Sequence, residues 1–345
     1  MKAWRLHEYG HPRDVLRLEE VPAPEPGAGE VRVKVAAITL NYNDLGGILG
    51  RYLTVRPPLP YIPGMEVLGR VDAAGAGAEH WLGKRGCAVP GGAFGGYAEQ
   101  AVCPAAGTFE LPEDIPDAEA AAIFFPFHLS WFALFERGRL ARGESVLIHA
   151  AAGGIGSGAV QLARHAGARV FATAGSDEKL ALCRELGADV AINYRKDSFA
   201  DVVNDATDGR GVDVVFDSVG GDVTVQSFRC MAFHGRLLSL GFASGIEAED
   251  QATFTPRPLL FGNFALVGVC WGYLPDPLAV RRQTGWNFPS HEDGVRMHDQ
   301  ILALLRRGAI RPVIGQRARF ADLPATFDAV MRRETIGRTV IELDG

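Results

Sequence analysis

Between residues 145 and 179 an apolar run, Ser145-Val146-Leu147-Ile148-His149-Ala150, leads into a glycine turn and then into an alanine-rich helical pattern. This succession leaves few folds open. Gly154, Gly156 and Ala159 occupy the three small positions of G-x-G-x-x-A. The first permits a tight turn, the second lets backbone approach a pyrophosphate, and the third lets helix and strand pack closely. Ile155 lies between the first two, at a helix start whose free N–H groups and dipole favour an anion. Glycine-rich turns of this kind also occur without a ligand, but this one heads a series of strand and helix patterns: SVLIHA, ARVFATA, VAINY, VDVVFDSV, GRLLSLG and FALVGVCWG. Five or six strands with helical crossovers predict a doubly wound parallel sheet that binds a dinucleotide. The phosphate loop of nucleotide triphosphatases is excluded, because the turn lacks a G-K-[ST] ending.

The end of the second strand decides which dinucleotide is held. An acid there grips the ribose 2′-hydroxyl of NAD and repels a 2′-phosphate. The chain instead offers Ala174-Gly175-Ser176, with Lys179 one turn later and Tyr194 and Arg195 closing the next strand on the same edge. These residues favour NADPH. Two alternatives stand against this: Asp177 as a displaced ribose acid, and Lys179 as a solvated residue paired with Asp177 or Glu185.

The first third is written differently. GEVRVKVAAITL alternates like a half-buried strand, and PYIPGMEVLGRVDAAG resembles another bounded by turn residues. Short strands punctuated by proline and glycine suggest a compact antiparallel β domain. With 345 residues, two domains are expected. A formal charge of −6 gives no basic footprint for nucleic acid. The start, MKAWRLHEYGHPRD, has no apolar core, so no signal peptide is expected. The apolar run from Ala120 to Phe135 holds Pro126 and His128 and reads as a buried segment too short for a bilayer. Five scattered cysteines without a C-x-x-C pair suggest reduced thiols in a cytoplasmic protein.

AAAGGIGSGAVQLA, ATAGSDEK, LGADVAINYR, VFDSVGGD and GRLLSLGFASG, with LNYND, PGMEVLGRV and FGGYAEQ upstream, resemble the quinone oxidoreductase branch of the medium-chain dehydrogenase/reductase superfamily. The resemblance covers nearly the whole chain in order. It implies an α/β protein with a GroES-like, mostly-β catalytic domain over residues 1–123, a Rossmann domain over 124–275, and a return to the catalytic domain over 276–345. It also implies a homodimer formed through the Rossmann sheet. Zinc-dependent members carry a cysteine where this chain has Asn41 and a histidine where it has Met65. Asparagine and a thioether cannot build a three-ligand catalytic zinc site, and the four-cysteine lobe for structural zinc is absent, so no metal is expected. Glu66 persists as a structural carboxylate.

Without a Lewis acid, hydride delivery to an acceptor that spreads the incoming charge is favoured over alcohol oxidation. Quinones and α,β-unsaturated carbonyls are such acceptors. By the resemblance, Asn41, Tyr42 and Asp44 line the nicotinamide end, with Tyr42 either bonding the acceptor oxygen or merely capping a turn. Ser130 stands near the nicotinamide, Gly241 and Phe242 pass it with backbone, and Arg333 and Arg338 reach the cofactor phosphates. His128 reads as structural. The stretch 281–292, with Trp286, Phe288 and His291, exceeds the usual family connection and either caps the site or decorates the surface. Two rival readings are an enoyl-CoA reductase, with Arg51, Arg56, Arg281 and Arg282 as candidate phosphate ligands, and a non-catalytic, crystallin-like NADPH-binding protein.

Overall fold

A computed structural model describes residues 1–51, 57–245 and 256–343; Arg56 lies outside them. The chain divides into two compact units. One comprises Met1–Phe125, Gly272–Asp299 and Pro312–Gly345, the other Pro126–Trp271 and Gln300–Arg311. The C-terminal segment therefore does not return as a whole to the first unit, as the sequence had suggested. Residues 300–311 stay with the second, where the Arg311 amide donates to Gln161 Oε1 at 2.8 Å and Gln161 Nε2 donates to the Arg311 carbonyl at 3.0 Å.

In chain order the first unit supplies β1 (Lys2–Leu6), β2 (Leu16–Glu20), β3 (Glu30–Thr39), β4 (Val67–Ala74), β5 (Arg85–Ala88), β6 (Gln100–Pro104) and β7 (Thr108–Glu110). The second supplies β8 (Ser145–Ile148), β9 (Arg169–Ala174), β10 (Val190–Asn193), β11 (Val212–Asp217), β12 (Met231–Ser239) and β13 (Ala265–Gly268). The first is completed by β14 (Ile314–Arg319) and β15 (Arg338–Glu342).

The second unit is a six-stranded parallel sheet in the order β10-β9-β8-β11-β12-β13. Every residue of β8 and β11 is buried, as in a sheet covered on both faces. Leu147, Phe171, Ile192, Phe199, Val215 and Leu237 pack in one core of this unit. The order reverses between β8 and β11, which is where ligands bind in open α/β sheets, outside the carboxyl ends of the strands. Only four residues of the last apolar run form β13, and this strand lies at the sheet edge.

In the first unit β3 is central. One edge pairs with β4; the other pairs first with β6 and then with β15. The closing strand of the chain thus belongs here, a question that periodicity left open. Val31, Val33, Val35 and Ile38 of β3 point into a core with Trp4, Leu6, Tyr97, Leu323, Phe327 and Ile341. The stretch 281–292 is fastened to this unit. Its His291 donates from Nδ1 to the Ala106 carbonyl at 2.6 Å and sets its ring 5.6 Å from that of Phe109.

Among the described residues one helical stretch, Asp117–Arg137, has the length and composition to cross a membrane, with 21 residues rather than the short run expected. However, 78% of its most apolar window is buried inside the fold. Phe124, Phe127 and Leu134 there are core residues.

Candidate functional site

The glycine turn follows β8 directly. Its left-handed backbone falls on Ala150, at φ 50°, while Gly153 caps helix Gly154–His165 at φ −79°. The tight turn expected of Gly154 is therefore made by Ala150. Gly156 answers a harder constraint. A Cβ there would lie 2.3 Å from the Ala150 carbonyl oxygen and 2.7 Å from the Ala151 Cα, both backbone atoms, so no larger residue fits. Ala159 is fully buried one turn further on. Buried Ser130 donates from Oγ to the Ile155 carbonyl at 3.2 Å and so steadies the helix start.

Below the turn, His149 is buried with Nδ1 3.0 Å from Thr173 Oγ1 and Nε2 2.9 Å from Ser227 Oγ. The Ser227 hydroxyl already donates to the Val223 carbonyl at 2.7 Å. It must therefore accept from His149 Nε2–H, which leaves Nδ1 to accept from Thr173. This neutral imidazole agrees with a pKa that burial pushes down to about 4. The network ties the ends of β8 and β9 to the helix after β11.

The first two residues after β9, Gly175 and Ser176, carry no carboxylate, and Asp177 is the first acid beyond them. Ser176 caps helix Asp177–Glu185, its Oγ accepting from the Lys179 amide at 3.3 Å. A Cβ on Gly175 would meet Tyr194 Oη at 2.7 Å and Arg195 Nε at 3.1 Å, so these two side chains lie directly over it. Asp177 is held by Lys196, whose Nζ is 3.2 Å from both carboxylate oxygens, and its pKa is lowered for that reason. Glu185 is bound by Arg311. Asp177 and Glu185 therefore each have a cation other than Lys179 as a partner. Gly175 is thus brought together with Tyr194 and Arg195, and Ser176 with the backbone of Lys179.

The carboxyl end of β11 carries buried Asp217. Its Oδ1 accepts from the Val219 and Gly220 amides at 2.9 and 3.0 Å, and its Oδ2 from the Thr224 hydroxyl. This fixes the loop against which Gly241 rests, where a Cβ would come within 2.9 Å of the Ser218 carbonyl oxygen. Phe242 beside it is exposed.

In the first unit the strand registers converge on one point. Ile38 pairs with Val67 and Thr39 with Val340, so Thr39 neighbours Glu66, and two residues further along the antiparallel pair Asn41 faces Arg338. Arg338 is buried. It donates from Nη2 to Glu66 Oε2 at 2.6 Å and to Thr39 Oγ1, and from Nη1 to Asn41 Oδ1 at 2.9 Å. Thr39 Oγ1 in turn donates to Glu66 Oε2 at 2.5 Å, and Glu66 Oε1 accepts from the Phe125 amide at 3.1 Å. Arg338 Nε has no hydrogen-bond partner. Asn41 caps helix Tyr42–Ile48, where the Asp44 carboxylate accepts from the Asn41 amide at 3.0 Å. Asp44 is buried, and burial pushes its pKa up to about 6 despite the neighbouring Tyr97 hydroxyl, the bond to Asn41 and the charge of Arg338. Tyr42, the first residue of that helix, is partly exposed.

Of the residues expected to line the nicotinamide, Asn41 and Asp44 are buried and Tyr42 reaches the surface. Arg338 departs from its expected place at the cofactor phosphates, because its guanidinium is turned inward onto Glu66, Thr39 and Asn41. Arg333 is exposed, with a left-handed φ of 56° just past helix Leu323–Met331. Thr39, His149 and Asp217 were not singled out from sequence; the only signal for each was a polar residue at the end of an apolar strand. Among the described residues no group of three or more His, Cys, Asp or Glu is placed to hold a metal.

Residues 27–113 match the alcohol dehydrogenase GroES-like domain family, and residues 154–282 match the zinc-binding dehydrogenase family. A quinone oxidoreductase of Pseudomonas aeruginosa is 33% identical over 341 residues, covering 96% of this chain and 97% of that protein. The chain belongs to the zinc-free quinone oxidoreductase branch of the medium-chain dehydrogenase/reductase superfamily. Quinone oxidoreductase-like protein 2 of Bos taurus is 33% identical over 330 residues, 95% of this chain and 89% of that protein. Two solved members of similar fold are complexed with NADPH. A mycobacterial protein has a TM-score of 0.86 at 31% identity, covering 99% of both chains. The Escherichia coli quinone oxidoreductase has a TM-score of 0.86 at 26% identity, covering 99% of this chain and 100% of that one. Where zinc-dependent members of the superfamily place ligands, this quinone oxidoreductase-branch chain has Asn41 bonded to an arginine.

The raised pKa of Asp44 has a thermodynamic consequence. The folded state holds the carboxyl proton more firmly than the unfolded chain, so this contribution to stability is complete below about pH 3.8 and is lost as pH rises through about 6. Asp44→Asn removes the cost of a buried charge. Relative to the parent it should gain on the order of 1–3 kcal/mol near neutral pH, with the gain vanishing toward about pH 4. His149 acts in the opposite direction, losing stability as pH falls from 6.5 through about 4, but it is common to both proteins and cancels. Denaturant unfolding of both proteins across this range checks the sign. A pH-independent difference contradicts it.

Proposed function

We propose that this protein is an NADPH-dependent reductase that passes a hydride to a quinone or an α,β-unsaturated carbonyl without a metal. The observation that carries the reading is the end of β9. Gly175 and Ser176 present small, polar backbone, Tyr194 and Arg195 cover Gly175, and Lys179 stands one turn along, while Asp177 is held by Lys196. A 2′-phosphate fits this donor set, and the acid that follows it, Asp177, is paired with Lys196. The helix start at Gly154, with free amides and the positive end of the dipole, suits the pyrophosphate.

NADPH, when bound, supplies the hydride. The chain's own groups bind, orient and exclude water. The loop held by Asp217 and the backbone at Gly241 and Phe242 offer a rigid wall to the nicotinamide, and Ser130 braces the helix start. Tyr42 is the candidate to donate a hydrogen bond to the acceptor oxygen, because its hydroxyl belongs to a partly exposed residue on a helix whose first turn is fixed from below by Asn41 and Asp44. A conjugated acceptor spreads the incoming charge, so a hydrogen-bond donor suffices where an alkoxide would call for a Lewis acid.

We also propose a homodimer. Edge strand β13 pairs only with β12 among the described residues. Leu266 on it is partly exposed, and Leu260 and Phe261 on the preceding helix are 70% and 76% exposed. Pairing with a second copy removes both the open edge and this apolar surface from water. Phe261→Asp should halve the mass measured by light scattering at micromolar concentration without loss of secondary structure. A parent protein that is already monomeric contradicts the dimer.

Turnover is tested by following NADPH consumption with a panel of quinones, enones and enoyl-CoA esters. The expected result is oxidation with quinones or enones. Turnover confined to the thioesters points to an enoyl-CoA reductase, and tight NADPH binding with no turnover points to a binding protein; either result overturns the proposed substrate class.

Lys179→Ala tests the phosphate site. Losing one charge-assisted contact costs on the order of 1.5–3 kcal/mol. NADPH affinity should therefore fall roughly ten- to hundredfold, with NADH nearly unchanged. Equal losses for both cofactors remove Lys179 from the 2′-phosphate.

A further inference from the structure

Arg338 makes its contacts inside the first unit and is not among the cofactor contacts proposed above. It is the first residue of the closing strand β15, and its side chain is 5% exposed. Three of its donor contacts are spent inside the first unit, on Glu66 Oε2, Thr39 Oγ1 and Asn41 Oδ1. Its guanidinium also lies 5.8 Å from the centre of the Phe125 ring. Glu66, 2% exposed, has one oxygen on this guanidinium and the other on the Phe125 amide. A cation so enclosed is not presented to a phosphate in solvent.

We propose that Arg338 is a positioning residue: through Asn41 it fixes the first turn of helix Tyr42–Ile48 and thereby the direction of Tyr42. The chain of contacts is short. Arg338 Nη1 holds Asn41 Oδ1; the Asn41 amide is held by Asp44 Oδ2; Tyr42 lies between them as the first helical residue. The Asn41 side chain also engages Asp44 in the capping box that opens this helix, and its Nδ2 makes a long contact, 3.4 Å, to the Thr39 carbonyl; the arginine adds the charged anchor on Oδ1. Register explains why an arginine serves. Asn41 faces position 338 across the continuation of the β3–β15 pair, and a planar fork spans from there to both Asn41 and Glu66, which a lysine ammonium does not do in one geometry. The ion pair with Glu66 locks the fork, since taking one partner away leaves a buried charge uncompensated.

The proposal rests on the reductase reading for its kinetic test, and a second measurement keeps it independent of that reading. Arg338→Lys retains the charge and loses the fork. The dissociation constant for NADPH, measured by fluorescence titration without acceptor, should stay within about twofold, while kcat falls about tenfold or more because the hydrogen-bond donor is misplaced. Asn41→Ala should give a similar loss, and the double variant should lose little beyond either single one, since both cut the same contact. Asn41→Ala also reads the contact from its other end should the lysine variant fold poorly. Hydrogen exchange supplies the readout that needs no turnover: amides of residues 41–45 should exchange faster in Arg338→Lys, with the second unit unchanged.

A tenfold weakening of NADPH binding with kcat retained would return Arg338 to the phosphates and overturn the proposal. Additive losses in the double variant would overturn it as well. If the parent protein turns over no acceptor, the reductase reading fails. The positioning role then stands on faster exchange at 41–45 and falls if exchange there is unchanged.

Discussion

Helix Gly154–His165 begins so close to the strand before it that position 156 has no room for a Cβ: the Ala150 carbonyl oxygen would lie 2.3 Å away. Much of the nucleotide unit depends on that approach. It lets the helix start directly above the carboxyl end of β8, at the point where strand order reverses. The first amides of a helix have no partner within it, and its dipole favours an anion there. Ser130 holds the Ile155 carbonyl from one side, and His149 ties the strand below to β9 and to the helix after β11. A neutral histidine serves this purpose because a charged one would be buried without an acid in hydrogen-bond contact. The result is a stiff helix start at the carboxyl end of the sheet, where we propose that the pyrophosphate binds.

The first unit solves a different problem. Where zinc-dependent relatives place ligands, this chain has a buried ion pair whose arginine bonds Asn41. Burying two charges is costly, and the pair offsets that cost only because Thr39, Asn41 and the Phe125 amide satisfy further donors and acceptors around it. The network ties pairing to register: a shifted register of β15 would separate Arg338 from Glu66. Asp44 adds a second buried acid, kept partly in check by the same arginine.

How far the sequence discloses this depends on the range of the interaction. The strand–turn–helix around Gly156, the small residues Gly175 and Ser176 after β9 and the run of strand patterns are local, and each is legible in a window of about twenty residues. The pairing of Asp177 with Lys196 and of Glu185 with Arg311 is not, because several cations compete for each acid and only the folded chain chooses among them. Arg338 shows the limit most clearly. It lies 272 residues from Glu66 and 297 from Asn41, and nothing in GRTVIELD distinguishes an inward arginine from one that reaches a phosphate. The left-handed turn at Ala150 is hidden for another reason: alanine rarely adopts that backbone, and beside three glycines it is the last residue to be suspected. Residues 300–311 continue a helix whose apolar pattern does not say which unit it leaves and which it joins.

The 2′-phosphate site proposed at the end of β9 distinguishes the two nicotinamide cofactors by charge. Calorimetric titration of the unmodified protein with NADPH and with NADH, repeated over a series of salt concentrations, tests it most directly. The account predicts that NADPH binds roughly tenfold tighter or better at low salt, with the gap narrowing as salt rises, because the distinguishing contacts join opposite charges. Equal affinities at every salt concentration, or tighter binding of NADH, would contradict it.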